Sequence, residues 1–122
     1  MNYVEQDEIK RQLQILVRKY CLTENGSWIT DFEWVKIPVE FEDLKNDVCG
    51  KYAFGRIVLK ECHDAGTIFS VYVHELRHRW QWNKNPVKYV IGKVFRPLIE
   101  KDAYAQQDLA DEWIANQPNS LG

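Results

Sequence analysis

A chain of 122 residues with 45% apolar and 13% aromatic side chains has material for one core and no room for a second domain. Its 16 basic side chains are balanced by 18 acidic ones, which excludes the electrostatic footprint of a nucleic-acid binder and leaves Arg77, Arg79, Lys84 and Lys88 as a solvated face. No apolar run approaches the roughly 18 residues of a membrane span, and three cysteines (Cys21, Cys49, Cys62) without CxxC spacing exclude a disulfide framework and a thiolate-type structural zinc site.

The acidic start from Met1 to Glu8 lacks the apolar stretch of a signal peptide, so the expected location is cytoplasmic. Residues from 5 to 22 read as an amphipathic helix, with Ile9, Leu13, Leu16, Val17 and Tyr20 on one stripe and Asn25-Gly26 ending it. Trp28 to Glu33 carries no clear period. Trp34 to Ile37 reads as a strand that Pro38 ends or places at an edge, and Phe41 to Val48 as a charged stretch holding one helical turn. From Lys51 to Lys60 the pattern predicts two short extended pieces joined or bulged near Gly55, completing a small sheet with the earlier strand.

Thr67 to Val73 is apolar and β-branched enough to be a buried strand. The residues after Val73 decide for a helix: about 16 residues run to Asn83 without Gly or Pro, with Asp64 or Thr67 as N-cap and Asn85-Pro86 as the stop. This helix would be buried nearly all round, with Thr67, Ser70, His74, His78 and Gln81 forming a polar row. Within it stands His74-Glu75-Leu76-Arg77-His78, the HExxH pattern. A four-residue step returns to within about 40° of the same azimuth, so the two imidazoles can converge on one metal ion. Glu75, about 100° round the helix, is placed to take a proton from a water on that ion. Cys62-His63-Asp64 is an alternative ligand cluster, disfavoured because adjacent side chains on an extended chain point apart.

Pro86 to Pro97 is of mixed apolar character and partly helical, a reading that Gly92 weakens. A last helix starts at Pro97 and runs to Asn116, its inward stripe comprising Glu100, Ala103, Tyr104, Gln107, Ala110, Trp113 and Ile114, and residues 118 to 122 read as a disordered tail. Glu100 falls where an apolar residue belongs. A free anion there is costly, so it must be paired, protonated or metal-bound, with Arg56, Arg77 and Arg96 as possible ion-pair partners. Asp102, two residues on, points about 200° away.

Together His74-Glu75-x-x-His78, Gln81 and Glu100-Lys101-Asp102-Ala103-Tyr104 resemble the zincin metallopeptidases of the gluzincin branch, and most of all its short bacterial and phage-type members. The resemblance covers residues 35 to 115. It implies an α+β fold in which an N-terminal helix, a small, mostly antiparallel sheet, the HExxH helix and a C-terminal helix make a minimal peptidase domain. It further implies zinc held by His74, His78 and Glu100, with Glu75 as general base and then acid. Gln81 and Asp102 would orient ligands, Tyr104 would donate to the oxyanion, and the stretch from Tyr52 to Lys60 would receive a peptide or protein substrate. Taken by themselves the residues leave Asp102 as a solvated helix position, Gln81 as a surface amide and Tyr104 as core. A zincin scaffold that binds without turnover, of phage or mobile-element origin, is the other class of function, and intact Glu75 speaks against it.

Overall fold

In the computed structural model, which describes residues 2–30, 36–53, 55–94 and 97–117, the first amphipathic stripe folds as helix α1 (Tyr3–Tyr20). The Asn2 side chain caps it by accepting from the Glu5 backbone N–H, and Arg18 and Lys19 complement the dipole in its last turn. Ile9, Leu13, Leu16, Val17 and Tyr20 are its buried residues, the stripe expected from the period. Behind it the chain turns sharply at Gly26, where a Cβ would stand 2.2 Å from the Tyr20 carbonyl oxygen, so only glycine fits.

Three strands follow: β1 (Val39–Glu42), β2 (Gly50–Ala53) and β3 (Arg56–Lys60). β3 is central, with Ile57, Val58 and Leu59 buried, and it pairs antiparallel with β2 through a hairpin whose Gly55 takes φ 88°. β1 lies parallel to β3 on its other side. The sheet is therefore mixed, which corrects the mostly antiparallel expectation. The cause is the connection from β1 to β2, which crosses the end of β3 and is tied there by hydrogen bonds from Lys60 N–H to Cys49 C=O and from Glu61 N–H to Glu42 C=O.

Two local readings in this region are also corrected. The expected strand at Trp34 to Ile37 falls partly outside the described residues; Lys36 and Ile37 form a bend, and pairing starts only at Val39, past the proline that lacks a donor. The helical turn expected within Phe41 to Val48 is absent: Phe41 and Glu42 belong to β1, and Asn46 and Asp47 take left-handed φ of 59° and 63°, which side chains that bond their own backbone tolerate.

Helix α2 (Ala65–Lys84) is capped by Asp64, whose carboxylate accepts from the Gly66 N–H and the Thr67 hydroxyl. Phe69, Tyr72, Val73 and Leu76 contribute roughly 1.5–3 kcal/mol each by leaving water; Thr67 is exposed and the second half only half-buried, so the all-round burial expected holds from Ile68 to Leu76, with Val71 half-buried. Helix α3 (Pro86–Val94) keeps Gly92 because the glycine is buried against Ile99, where a Cβ would come within 2.5 Å of Cγ2. Packing overrides propensity there. Helix α4 (Pro97–Ala115) runs antiparallel to α2: Phe69 and Trp113 rings meet at 5.4 Å at one end, and Gln81 reaches the Ile99 carbonyl at the other. Buried Ala103 and Ala110 let the two helices approach closely. No described helix is long and apolar enough to cross a membrane. The expected tail lies outside the described residues.

Candidate metal centre

The Asp64 cap fixes the phase of α2, and that phase turns Ser70, His74 and His78 inward on one side. His74, Glu75 and His78 are about 95% buried, with one ligand atom from each lying within 4.8 Å of the others. Glu100, in the first turn of α4, reaches the same point across the helix interface: its Oε1 is 2.7 Å from His78 Nε2 and its Oε2 is 3.5 Å from His74 Nε2. Of the arginines considered for Glu100, neither of the two described takes that place. Arg77 pairs with Asp102 and Arg56 with Glu40, while Arg96 lies outside the described residues.

Hydrogen bonds around His78 decide its tautomer. The Gln81 amide donates Nε2–H to the Ile99 carbonyl and to Asp102 Oδ2, both at 2.9 Å; both partners are pure acceptors, so the amide cannot be flipped. Its Oε1 therefore faces His78 Nδ1 at 2.9 Å, and Nδ1 must carry the proton. Neutral His78 then presents only a lone pair at Nε2, 2.7 Å from a carboxylate oxygen that is also an acceptor. Two acceptors at that distance require a cation between them, either an added proton or a metal ion. Asp102 is not itself turned to the site. Arg77 donates to it from Nε and Nη2 at 2.7 and 3.1 Å, and Arg77 stacks over the Trp80 ring at 3.7 Å. Burial alone would raise the Asp102 carboxyl, but the hydrogen bonds from Arg77 and Gln81 hold it below its ordinary range.

The donor set suits zinc: two imidazole nitrogens, one carboxylate oxygen and no thiolate. Ligand atoms on a tetrahedral ion with bonds of about 2.0–2.1 Å stand roughly 3.3 Å apart; the His74–Glu100 separation of 3.5 Å already matches, whereas the His78–Glu100 separation of 2.7 Å is that of a hydrogen bond and would have to widen around an ion. Glu75 lies beside the imidazole pair and also reaches β2, where its Oε2 faces Gly50. Burial, and then the negative charge of Glu100, pushes its carboxyl up to about 8. Burial, followed by the neighbouring His78, lowers the proton affinity of His74.

A cleft of about 570 Å³ opens over these groups, walled by Gly50 and Tyr52 of β2, Val71 of α2, Tyr89 of α3, and Ile99 and Tyr104 of α4. Among the described residues β2 is paired on one side only, and Gly50, Lys51 and Tyr52 line this cleft. Tyr104 is more than half exposed, yet its ring stands 4.6 Å from that of His74, at the rim and not in the core. The structure thus brings together His74, Glu75, His78, Glu100 and Tyr104 and connects Gln81 and Asp102 to them by hydrogen bonds. The alternative cluster does not form: His63 is exposed beside Glu5, and Asp64 is spent on the helix cap.

Two contributors, Gly50 and Tyr89, are not singled out from sequence, and Arg77 is expected there only as a partner of Glu100. Gly50 lets the strand lie against the general-base candidate, since a Cβ there would meet Glu75 Oε2 at 3.2 Å and Val71 Cγ1 at 2.8 Å. Arg77 anchors Asp102, and Tyr89 adds an aromatic wall 6.1 Å from the His78 ring. Only Gly50 left a local signal, a glycine opening a strand. Comparison with protein-family models, curated proteins and solved structures returns no match.

Proposed function

We propose that the protein is a zinc-dependent peptidase built on a minimal zincin-like domain, with His74, His78 and Glu100 as the metal ligands. What carries the reading is the convergence of His74 Nε2, His78 Nε2 and the Glu100 carboxylate on one buried point, beside a second buried carboxylate, Glu75, that is not itself needed to hold an ion. Zinc, when bound, supplies Lewis acidity that polarises an amide carbonyl and lowers the pKa of a water in its open position.

The protein's own groups do the remaining work. Glu75, whose buried carboxyl is pushed up to about 8 in the metal-free protein, would act as a base only once the charge of a bound ion draws that value down and frees the carboxylate to take a proton from the attacking water. It then returns that proton to the leaving amine nitrogen. The exposed side of β2 offers backbone donors and acceptors to an extended peptide laid along the cleft, a placement that supports a peptide rather than a small-molecule substrate. Tyr104 at the rim is positioned to donate to the developing oxyanion.

Metal content of the protein purified without chelator, measured together with cleavage of an unstructured protein substrate, tests the reading. About one zinc per chain is expected, and Glu75→Gln keeps that zinc while losing at least about a hundredfold in turnover. Absence of metal refutes the site, and a Glu75→Gln variant as fast as wild type refutes the role of the carboxylate.

A further inference from the structure

The two imidazoles are not held alike. His78 has its Nδ1–H accepted by Gln81, whereas Nδ1 of His74 is buried with no hydrogen-bond partner. A buried ring nitrogen left bare gives up a bond it would make in water, and a histidine that ligates a metal almost always hands its other nitrogen to an acceptor.

The antiparallel packing of α2 on α4 shows where that acceptor is. Gln81 stands opposite Ile99, and His78 opposite Glu100, so His74, one turn earlier, stands opposite the turn from Tyr104 to Gln107. Gln107 lies seven residues beyond Glu100, on the same face of α4, half-buried between the fully buried Ala103 and Ala110, and it lines the cleft. Its neighbour Gln106 is tied on the other side by the Trp28 indole N–H at 2.9 Å, which fixes the rotation of α4 at this level. His74 and Gln107 line the same cleft, Gln107 favours a proton on the His74 ring, and His74 Nδ1 has no hydrogen-bond partner.

We propose that Gln107 is the positioning residue for His74: its Oε1 accepts the Nδ1–H and keeps the Nε2 lone pair facing Glu100, as Gln81 does for His78. Its consequence for zinc rests on the zinc-peptidase reading; the tautomer itself does not. The competing acceptor is Ser70, buried one turn before His74, which is not among the cleft-lining residues and whose hydroxyl in a helix commonly bonds its own preceding turn.

Nitrogen-15 NMR of the His74 ring in the metal-free protein, and zinc affinity by chelator competition, test this with Gln107→Leu, Gln107→Glu and Ser70→Ala. The wild-type ring is expected as the Nδ1–H tautomer. Gln107→Leu mixes the tautomers and weakens zinc about 10- to 100-fold, while Gln107→Glu, which keeps the acceptor, stays within about threefold of wild type or binds tighter. A Gln107→Leu protein with unchanged tautomer and affinity overturns the proposal, as does Ser70→Ala reproducing the loss. Should the wild-type protein take up no zinc, the peptidase reading fails, and the tautomer measurement alone then decides the role of Gln107.

Discussion

Replacing Asp102 by alanine separates two carboxylates that lie two positions apart in sequence and do different things in the fold. Asp102 accepts from Arg77 at 2.7 and 3.1 Å and from Gln81 at 2.9 Å, and the Arg77 side chain is only 11% exposed. Breaking a fully buried pair costs about 3–5 kcal/mol. Here 38% of the Asp102 side chain is exposed and water can reach the vacated site, so a loss of about 1–3 kcal/mol in urea unfolding of the metal-free protein is expected. Gln81 keeps the Ile99 carbonyl as an anchor, and the His78 tautomer is loosened without being lost. Zinc affinity in chelator competition should therefore fall about 10- to 100-fold, or roughly 1.4–2.8 kcal/mol. Glu100→Ala should do the opposite, weakening zinc far beyond that range while changing metal-free stability by less than about 1 kcal/mol, because Glu100 is a third exposed and, among the described residues, its ion pairs are with the two imidazoles. If zinc binding proves more sensitive to Asp102 than to Glu100, the ligand set is wrong.

Cobalt substitution should give a spectrum without strong thiolate charge-transfer bands, since Cys49, the cysteine at the cleft, stands outside the imidazole–carboxylate set; intense bands would put a thiolate on the metal. In the metal-free protein the Glu75 carboxyl is raised from 4.5 to about 8, so its contribution to stability is fully present below the unfolded value and is lost as pH rises through about 8. His74, whose affinity is lowered from 6.5, works the other way only at lower pH, so between pH 7 and 8 stability should fall by up to about 1.4 kcal/mol per unit, and a flat or rising profile in that window refutes the burial of Glu75 as an acid. Gly50→Ala drives a methyl to 2.8 Å from Val71 Cγ1 and 3.2 Å from Glu75 Oε2. An overpacking loss of about 1–3 kcal/mol in denaturant unfolding is expected, and unchanged stability would mean that β2 does not lie against Glu75.

Local chemistry by itself determined the helices and the three residues that the HExxH spacing brings together. The Asp64 cap, the absence of Gly and Pro from Thr67 to Asn83 and the four-residue step between His74 and His78 act within one or two turns, where 3.6 residues per turn leaves little choice. The stripe from Ile9 to Tyr20 was legible for the same reason. A carboxylate at an apolar position on the last helix marked Glu100 as needing a partner, but which partner was open, because pairing across a helix interface depends on the relative rotation and depth of two elements. Packing gave Arg77 to Asp102 and left the two imidazoles to Glu100. The same holds for the parallel placement of β1, which a four-residue strand cannot encode, and for Gly50 and Gln107, whose neighbours on α2 lie more than twenty residues away along the chain. Periodicity fixes which face of an element is buried; only close packing of side chains at a given depth and rotation decides what that face meets.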